Sequence, residues 1–82
     1  VIVSGRVTNS IGQGVRGALV SLTDQSGHRR TVTTGSFGFY TFDAVEANRT
    51  YTVGVASKRY RFASRTISLI NAITDVDFVG LE

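Results

Sequence analysis

Apolar and polar residues alternate along almost the whole chain, which is the pattern of strands that bury one face. In the first such run Val3 and Val7 face one side, while Ser4 and Arg6 face the other. Thr, Val, Tyr, Phe and Ile dominate these runs, as a pleated, half-buried surface favours. The alternation predicts seven short strands, at residues 1–7, 18–23, 30–34, 37–42, 51–56, 61–70 and 73–79.

The connections between these runs have the chemistry of turns. Glycines recur there, and Asn48, which precedes Tyr51, is of the non-glycine type that best tolerates a left-handed backbone. The one helix-like fragment, residues 43–47, is too short to form a helix by itself. Short strands separated by turns favour a sandwich or a small barrel. The 82 residues suffice for a single domain, residues 1–82.

The positions that face inward in this alternation predict the core. They are Val3, Val7, Val20, Leu22, Val32, Tyr40, Phe42, Tyr51, Val53, Val55, Ile67, Leu69, Val76 and Phe78. A chain of this length buries only about 60% of the surface that it exposes when unfolded, so the core must be compact.

Four motifs follow one another along the chain: VSGRV at residues 3–7, GVRGALVSL at 14–22, TTGSFGFYTF at 33–42 and VEANRTYTV at 45–53. Together they resemble the carboxypeptidase regulatory-like domain, a small β-sandwich with the prealbumin (transthyretin-like) topology. The chain departs from that family in having Asn48 where glycine is usual, and in lacking prolines in two turns. The resemblance implies an all-β fold, a seven-stranded Greek-key β-sandwich of the prealbumin-like and Ig-like kind.

The resemblance also implies a module without catalytic activity. Members of the family occur beside carboxypeptidase catalytic domains, in secreted and surface proteins of bacteria, and as stalk-like repeats. The expected function is therefore that of a structural module in an extracellular or cell-surface bacterial protein. The alternative is an accessory module that binds glycan or protein within a secreted multidomain protein.

Composition removes several kinds of chemistry. There is no Cys and a single His, so disulfides and zinc sites built from His and Cys are excluded. No apolar run approaches the roughly 18 residues of a membrane span. The net charge of +3 is too small to indicate a nucleic-acid partner. The chain starts at Val1 rather than Met, which predicts a product whose signal peptide has been removed, or a module of a longer chain.

The sequence predicts no catalytic residue, no metal and no cofactor. His28 stands beside two arginines, which would repel a cation, and is expected to be a solvated loop side chain. Lys58 is the single lysine, and the guanidinium groups around it argue against the desolvated amine that an isopeptide bond needs. Asp75 and Asp77 share one strand face, but two carboxylates are fewer than calcium requires.

The densest charge in the chain comes from Lys58, Arg59, Arg61 and Arg65, with aromatic residues between them. Such a patch is a candidate site for an anionic ligand, such as a glycan, a lipid headgroup or single-stranded nucleic acid. The simpler interpretation is that the aromatic residues point into the sandwich while the cations keep the loop soluble.

Asn48 begins an Asn-Arg-Thr sequon in a predicted turn. It is therefore a candidate for N-glycosylation.

Edge strands avoid pairing with other chains by carrying charges and proline. The first and last predicted strands contain few charges and no proline. They predict self-association, or contact with neighbouring domains of the same protein, either end to end or edge to edge. Ile2, Val79 and Leu81 are the apolar residues that such a contact would bury. A head-to-tail contact of this kind does not close on itself, so it would extend into a surface filament.

Overall fold

The computed structural model describes residues 1–81, which form an all-β sandwich. Its strands are β1 (Val3–Thr8), β2 (Leu19–Asp24), β3 (Arg29–Thr33), β4 (Phe39–Phe42), β5 (Arg49–Ala56), β6 (Arg65–Leu69) and β7 (Phe78–Val79). One sheet has the order β4-β1-β7 and the other β3-β2-β5-β6, so the predicted seven-stranded sandwich is confirmed. Within this range no helix is long and apolar enough to cross a membrane.

Strand direction gives the sandwich two distinct ends. Neighbouring strands are antiparallel, except that β1 and β7 are parallel. We call one end the Val3 end, because β1 begins there. β3 and β5 begin at the same end, since Arg30 in β3 contacts Asp43, which follows β4 beside the start of β1. The opposite end, where β1, β3, β5 and β7 finish, is the Val79 end. The molecule measures 34 × 20 × 16 Å along its principal axes.

Several regular strands are shorter than the alternation predicted. Phe37 lies in a turn, which is closed by a hydrogen bond from the Gly38 amide to the Gly35 carbonyl. β4 therefore begins only after this turn. Arg61 makes only an isolated bridge, and the regular part of β6 begins four residues later. In both places a turn or crossing between the sheets interrupts the period of two, which sequence alternation alone does not reveal.

The core lies between the two sheets. Its buried apolar side chains are Val3, Val7, Val15, Ala18, Val20, Leu22, Tyr40, Phe42, Val45, Tyr51, Val53, Ile67, Leu69, Val76 and Phe78. The predicted core residues are all among them except Val32 and Val55, which are partly buried and pack against the core. Val15 and Val45 were not predicted because they lie outside the strands, where alternation says nothing about burial.

Residues 73–80 run beside β1 in the same direction. Val3 is paired with Ile73, and Val7 is paired with Phe78. Because β4 occupies the other edge of β1, β1 is the central strand of its sheet. The prediction that the first strand offers a free edge is therefore wrong. Of the two terminal strands, only β7 lies at the edge of a sheet.

This C-terminal segment leaves the regular ladder opposite Gly5. The carbonyl oxygen of Val76 lies so close to Gly5 that a Cβ at that position would overlap it. The same carbonyl accepts a hydrogen bond from the hydroxyl of Tyr40. A side chain at position 5 would push the segment away from β1, so glycine is required here by close approach of two backbones.

Asp77 replaces part of the interrupted ladder. Its Oδ1 accepts a hydrogen bond of 2.8 Å from the backbone N–H of Arg6 in β1. Its backbone oxygen accepts one of 3.2 Å from Nη1 of Arg65, which belongs to the opposite sheet. Asp77 therefore links the C-terminal segment both to its neighbour in the sheet and across the side of the sandwich.

Tyr40→Phe tests the hydrogen bond to Val76. Burial and, secondarily, the negative charge of Asp77 raise the pKa of the Tyr40 phenol above its ordinary range, while Arg65 opposes the shift. The folded state therefore keeps the proton that the bond needs. We expect the variant to lose about 1–3 kcal/mol of stability near neutral pH, because a buried carbonyl is left without its partner.

The pH dependence follows from the direction of the shift. Because the folded-state pKa lies above the unfolded value of about 10, this stabilisation is complete below about pH 10 and declines as the pH rises further. Urea unfolding of the parent and of Tyr40→Phe should show that the difference between their free energies of unfolding becomes smaller above that pH. Tyr60→Phe, which changes a half-exposed ring, is the control and should cost little. Equal stability of Tyr40→Phe and its parent at neutral pH would contradict the bond.

Candidate functional site

The predicted basic patch lies at the Val79 end, where its four members are divided between two different surroundings. Lys58 and Arg59 are exposed in the connection that follows β5. The Arg59 guanidinium carbon lies 5.5 Å from the centroid of the Tyr60 ring, a cation–π distance. Tyr60 and its neighbour Phe62 are partly buried and pack against the core.

Arg61 and Arg65 face the C-terminal segment instead. Arg61 and Leu81 exchange two backbone hydrogen bonds, of 2.8 and 2.9 Å, which fasten the end of the described chain to the β5–β6 connection. Arg65 donates to the backbone oxygen of Asp77, as described above. The side chains of both arginines are exposed, but Arg65 is already engaged in holding the fold.

Arg16 completes a groove with Lys58 and Arg59 that the sequence did not reveal. The pairing of Leu19 with Ala56 brings the start of β2 beside the end of β5. Arg16, Gly17, Leu19 and residues 56–59 line the resulting groove, whose volume is about 560 Å³. Its walls combine three cations with the half-exposed Leu19. Only knowledge of the β2–β5 register could have placed Arg16 here.

Within residues 1–81, the cations that line the groove have no acidic partner close by. The connections that meet there, residues 9–18, 34–38 and 57–64, contain no Asp and no Glu. Among residues 1–81, no carboxylate lies within ion-pair distance of Arg16, Lys58 or Arg59. An anion in the groove would therefore not have to displace an internal partner.

The Val3 end has the opposite character, since each of its carboxylates has a basic partner. Asp43 lies 3.5 Å from Arg30, and Glu46 lies 2.8 Å from Arg49. Together with the β2–β3 turn, these residues border a cleft of about 350 Å³. The two arginines that line this cleft are thus paired with acids, unlike the cations of the groove at the Val79 end.

Asp24 organises the β2–β3 turn beside that cleft. Its Oδ1 accepts hydrogen bonds of 2.9 Å from the backbone N–H groups of Ser26 and His28, and its Oδ2 lies 3.3 Å from the His28 ring. Desolvation alone would raise the pKa of Asp24, but these hydrogen bonds and the adjacent imidazole together lower it below its ordinary value. Asp24 is thus an ionised cap for the turn.

The remaining candidates occupy separate surfaces. His28 and Lys58 are exposed at opposite ends of the sandwich, and Asp77 uses one carboxylate oxygen on the Arg6 amide. No group of three or more His, Asp or Glu side chains suited to a metal ion occurs among residues 1–81. The structure therefore brings none of these groups into a common site.

Asn48 lies in the turn before β5, with its side chain exposed. Its φ of 63° is in the left-handed region, so the chain uses asparagine where a glycine would also fit. Its amide donates to the Leu69 carbonyl at 2.6 Å, which fixes the turn against β6. The sequon thus begins on an exposed but well-anchored turn.

Comparison with known proteins agrees with this architecture. The structure is similar to the C-terminal fragment of the pilus adhesin SpaC from Lactobacillus rhamnosus GG, with a TM-score of 0.60 and 14% sequence identity. The similarity covers 96% of this chain but only 42% of that fragment, and at such low identity it concerns the fold alone. A search of curated protein sequences found no match.

The sequence itself matches a family model over residues 2–79, which is nearly its whole length. The matched model describes the same family that the four sequence motifs resemble. This chain belongs to the carboxypeptidase regulatory-like domain family.

Proposed function

We propose that this domain is a non-catalytic structural module of an extracellular or cell-surface bacterial protein, joined in series to neighbouring modules. The observation that carries the proposal is the parallel pairing of β1 with the C-terminal segment. Because these two segments run in the same direction, the chain enters the sandwich at the Val3 end and leaves it at the Val79 end. Neighbouring modules would therefore lie at opposite ends, as in a stalk.

Exposed apolar side chains occur at both of these ends. At the Val3 end they include Ile2 and Ile70, and at the Val79 end they include Ile11 and Leu81. Ile70 is 67% exposed and Ile11 is 76% exposed, so each could be covered by a neighbour. A contact between the Val79 end of one module and the Val3 end of the next would remove these surfaces from water.

The sheet order removes one of the expected strand contacts, although β3, β4, β6 and β7 remain at sheet edges. Both edges of β1 are occupied, so this strand cannot pair with another chain. A contact between unlike ends is heterologous and repeats without closing, which is the geometry of a filament subunit. Two further observations agree with a surface role: the family, and the similar fold of a fragment whose parent is a pilus adhesin.

Sedimentation equilibrium of the purified chain tests this association. We expect the average mass to rise continuously with concentration, and we expect Ile70→Asp to keep the chain monomeric, because a charge cannot be buried in the contact without a partner. Thr41→Asp, which changes an exposed residue on the side of the sandwich, should associate like the parent. A parent chain that stays monomeric at the highest attainable concentration would contradict self-association.

A second candidate function is supported by the groove at the Val79 end. Arg16, Lys58 and Arg59 surround it without a nearby acid among residues 1–81, which suits an anionic glycan. In that case the domain is an accessory module that binds a polymer at its surface. The groove would then serve recognition, while the fold supplies the rigid support.

Binding of heparin, an acidic glycan, at low and high salt tests the groove. We expect the double variant Arg16→Ser/Arg59→Ser to weaken binding by roughly tenfold, the equivalent of two partly exposed ionic contacts. Arg29→Ser/Arg49→Ser removes the same charge from the Val3 end and should leave binding nearly unchanged. Equal losses in the two double variants would show that net charge alone is responsible, and would contradict a specific groove.

A further inference from the structure

In the proposed function, force would enter the domain through β1 and the C-terminal segment, and these two segments are hydrogen-bonded to each other. β1 begins at the Val3 end, and the C-terminal segment finishes at the Val79 end. Tension along the chain therefore pulls β1 towards the Val3 end and pulls the C-terminal segment towards the Val79 end. The two neighbours are drawn past each other along their lengths, so the bonds between them are loaded in shear.

From this geometry we propose that the pairing of β1 with residues 73–80 is a mechanical clamp, which makes the domain resist tension applied through its two ends. The inference deepens the proposed structural role and rests on it for the direction in which force enters. It adds a function that a passive spacer does not need. A spacer has only to stay folded at rest, whereas a clamp has to stay folded under load.

The hydrogen bonds between the two segments are spread along the whole contact. They join the Ile73 amide to the Ile2 carbonyl (3.0 Å), the Ser4 amide to the Ile73 carbonyl (2.8 Å), the Val76 amide to the Ser4 carbonyl (3.1 Å), the Arg6 amide to Asp77 Oδ1 (2.8 Å) and the Gly80 amide to the Thr8 carbonyl (2.7 Å). In shear these bonds share the load and have to fail together. If the same segments were peeled apart from one end, the bonds would fail one at a time.

Side chains secure the middle of the clamp, where the regular ladder is interrupted. The Tyr40 hydroxyl holds the Val76 carbonyl over Gly5. The Asp77 carboxylate accepts a hydrogen bond from the Arg6 amide, and the Asp77 backbone oxygen accepts one from the Arg65 guanidinium. Without these contacts, of the five hydrogen bonds described above, only the one from the Val76 amide to the Ser4 carbonyl would join residues 74–77 to β1. The irregular stretch therefore carries load because Tyr40 and Asp77 replace the missing ladder.

Two smaller contacts lie outside the clamp, where force enters. The Val1 backbone nitrogen donates to the Val45 carbonyl at 2.8 Å, and the Val45 amide donates to the Val1 carbonyl at 2.9 Å. At the other end, Leu81 is paired in the same way with Arg61. We expect both pairs to release first, since each has only two backbone bonds, and their release leaves the load on β1 and the C-terminal segment.

Single-molecule pulling in two directions tests the clamp, and the absence of Cys makes introduced thiols unique attachment points. In the first protein, cysteines are added before Val1 and after Glu82, so the clamp is sheared. In the second, one cysteine is added before Val1 and the other replaces the exposed Ala72, immediately before Ile73. Both handles then lie at the Val3 end, and the same bonds are peeled.

We expect unfolding in the first geometry to require a clearly higher force at the same loading rate. Equal forces in the two geometries, or a higher force for the Ala72 handle, would overturn the clamp. This comparison uses the intact core in both proteins, so it does not depend on a destabilising variant. A monomeric chain in sedimentation would overturn end-to-end self-association and leave this result untouched, so the two failures are distinguishable.

The contribution of Asp77 is tested in the shearing geometry. Asp77→Ala should shorten the lifetime under constant force by about fivefold, the rate equivalent of one net hydrogen bond. Asp75, two residues earlier, has an exposed side chain. Asp75→Ala removes the same charge and should leave the lifetime unchanged. Equal effects of the two substitutions would overturn the role assigned to Asp77. The direction comparison still decides the clamp itself if Asp77→Ala fails to fold.

Discussion

The close approach of the Val76 carbonyl to Gly5 determines how the last segment of the chain joins the sandwich. At this point a residue without a Cβ lets one backbone lie against another, and the Tyr40 hydroxyl satisfies the buried carbonyl. Val76 and Phe78 can then enter the core from a segment that has only two residues of regular strand. The parallel neighbour of β1 depends on this contact.

The functional conclusions follow from that parallel pairing. It makes β1 a central strand, which removes the free edge that the sequence suggested, and it places the incoming and outgoing chain at opposite ends. The two ends also differ in charge. Acidic side chains at the Val3 end are paired with bases, while the cations Arg16, Lys58 and Arg59 at the Val79 end have no acidic partner within the described part of the chain. The module therefore has two unlike ends, which differ in chain direction and in charge.

Sequence alternation was sufficient to predict the strands and most of the core, because a period of two is a local property of each strand. Val53 and Leu69 are buried as that period requires. The burial of Val15 and Val45 could not be predicted, since these residues lie in loops whose direction depends on contacts with distant strands. The family could be predicted because its motifs are contiguous in sequence.

The candidate sites were less predictable for the same reason. Arg59 and Arg65 are close in sequence, yet one faces the groove and the other holds the C-terminal segment. Arg16 reaches the groove only through the register of β2 with β5, which no local pattern specifies. The role of Asp77 was also hidden, since an exposed strand carboxylate does not reveal that it accepts a backbone amide.

Native-state hydrogen exchange measures the attachment of the C-terminal segment to β1 most directly, because each of its bonds has its own amide proton. If the attachment is an integral part of the fold, the amides of Ser4, Arg6 and Val76 exchange as slowly as those paired between β2 and β5, and Tyr40→Phe accelerates them. The contradictory result is exchange orders of magnitude faster at these three amides while the β2–β5 ladder stays protected, which would show a segment that detaches from an intact sandwich.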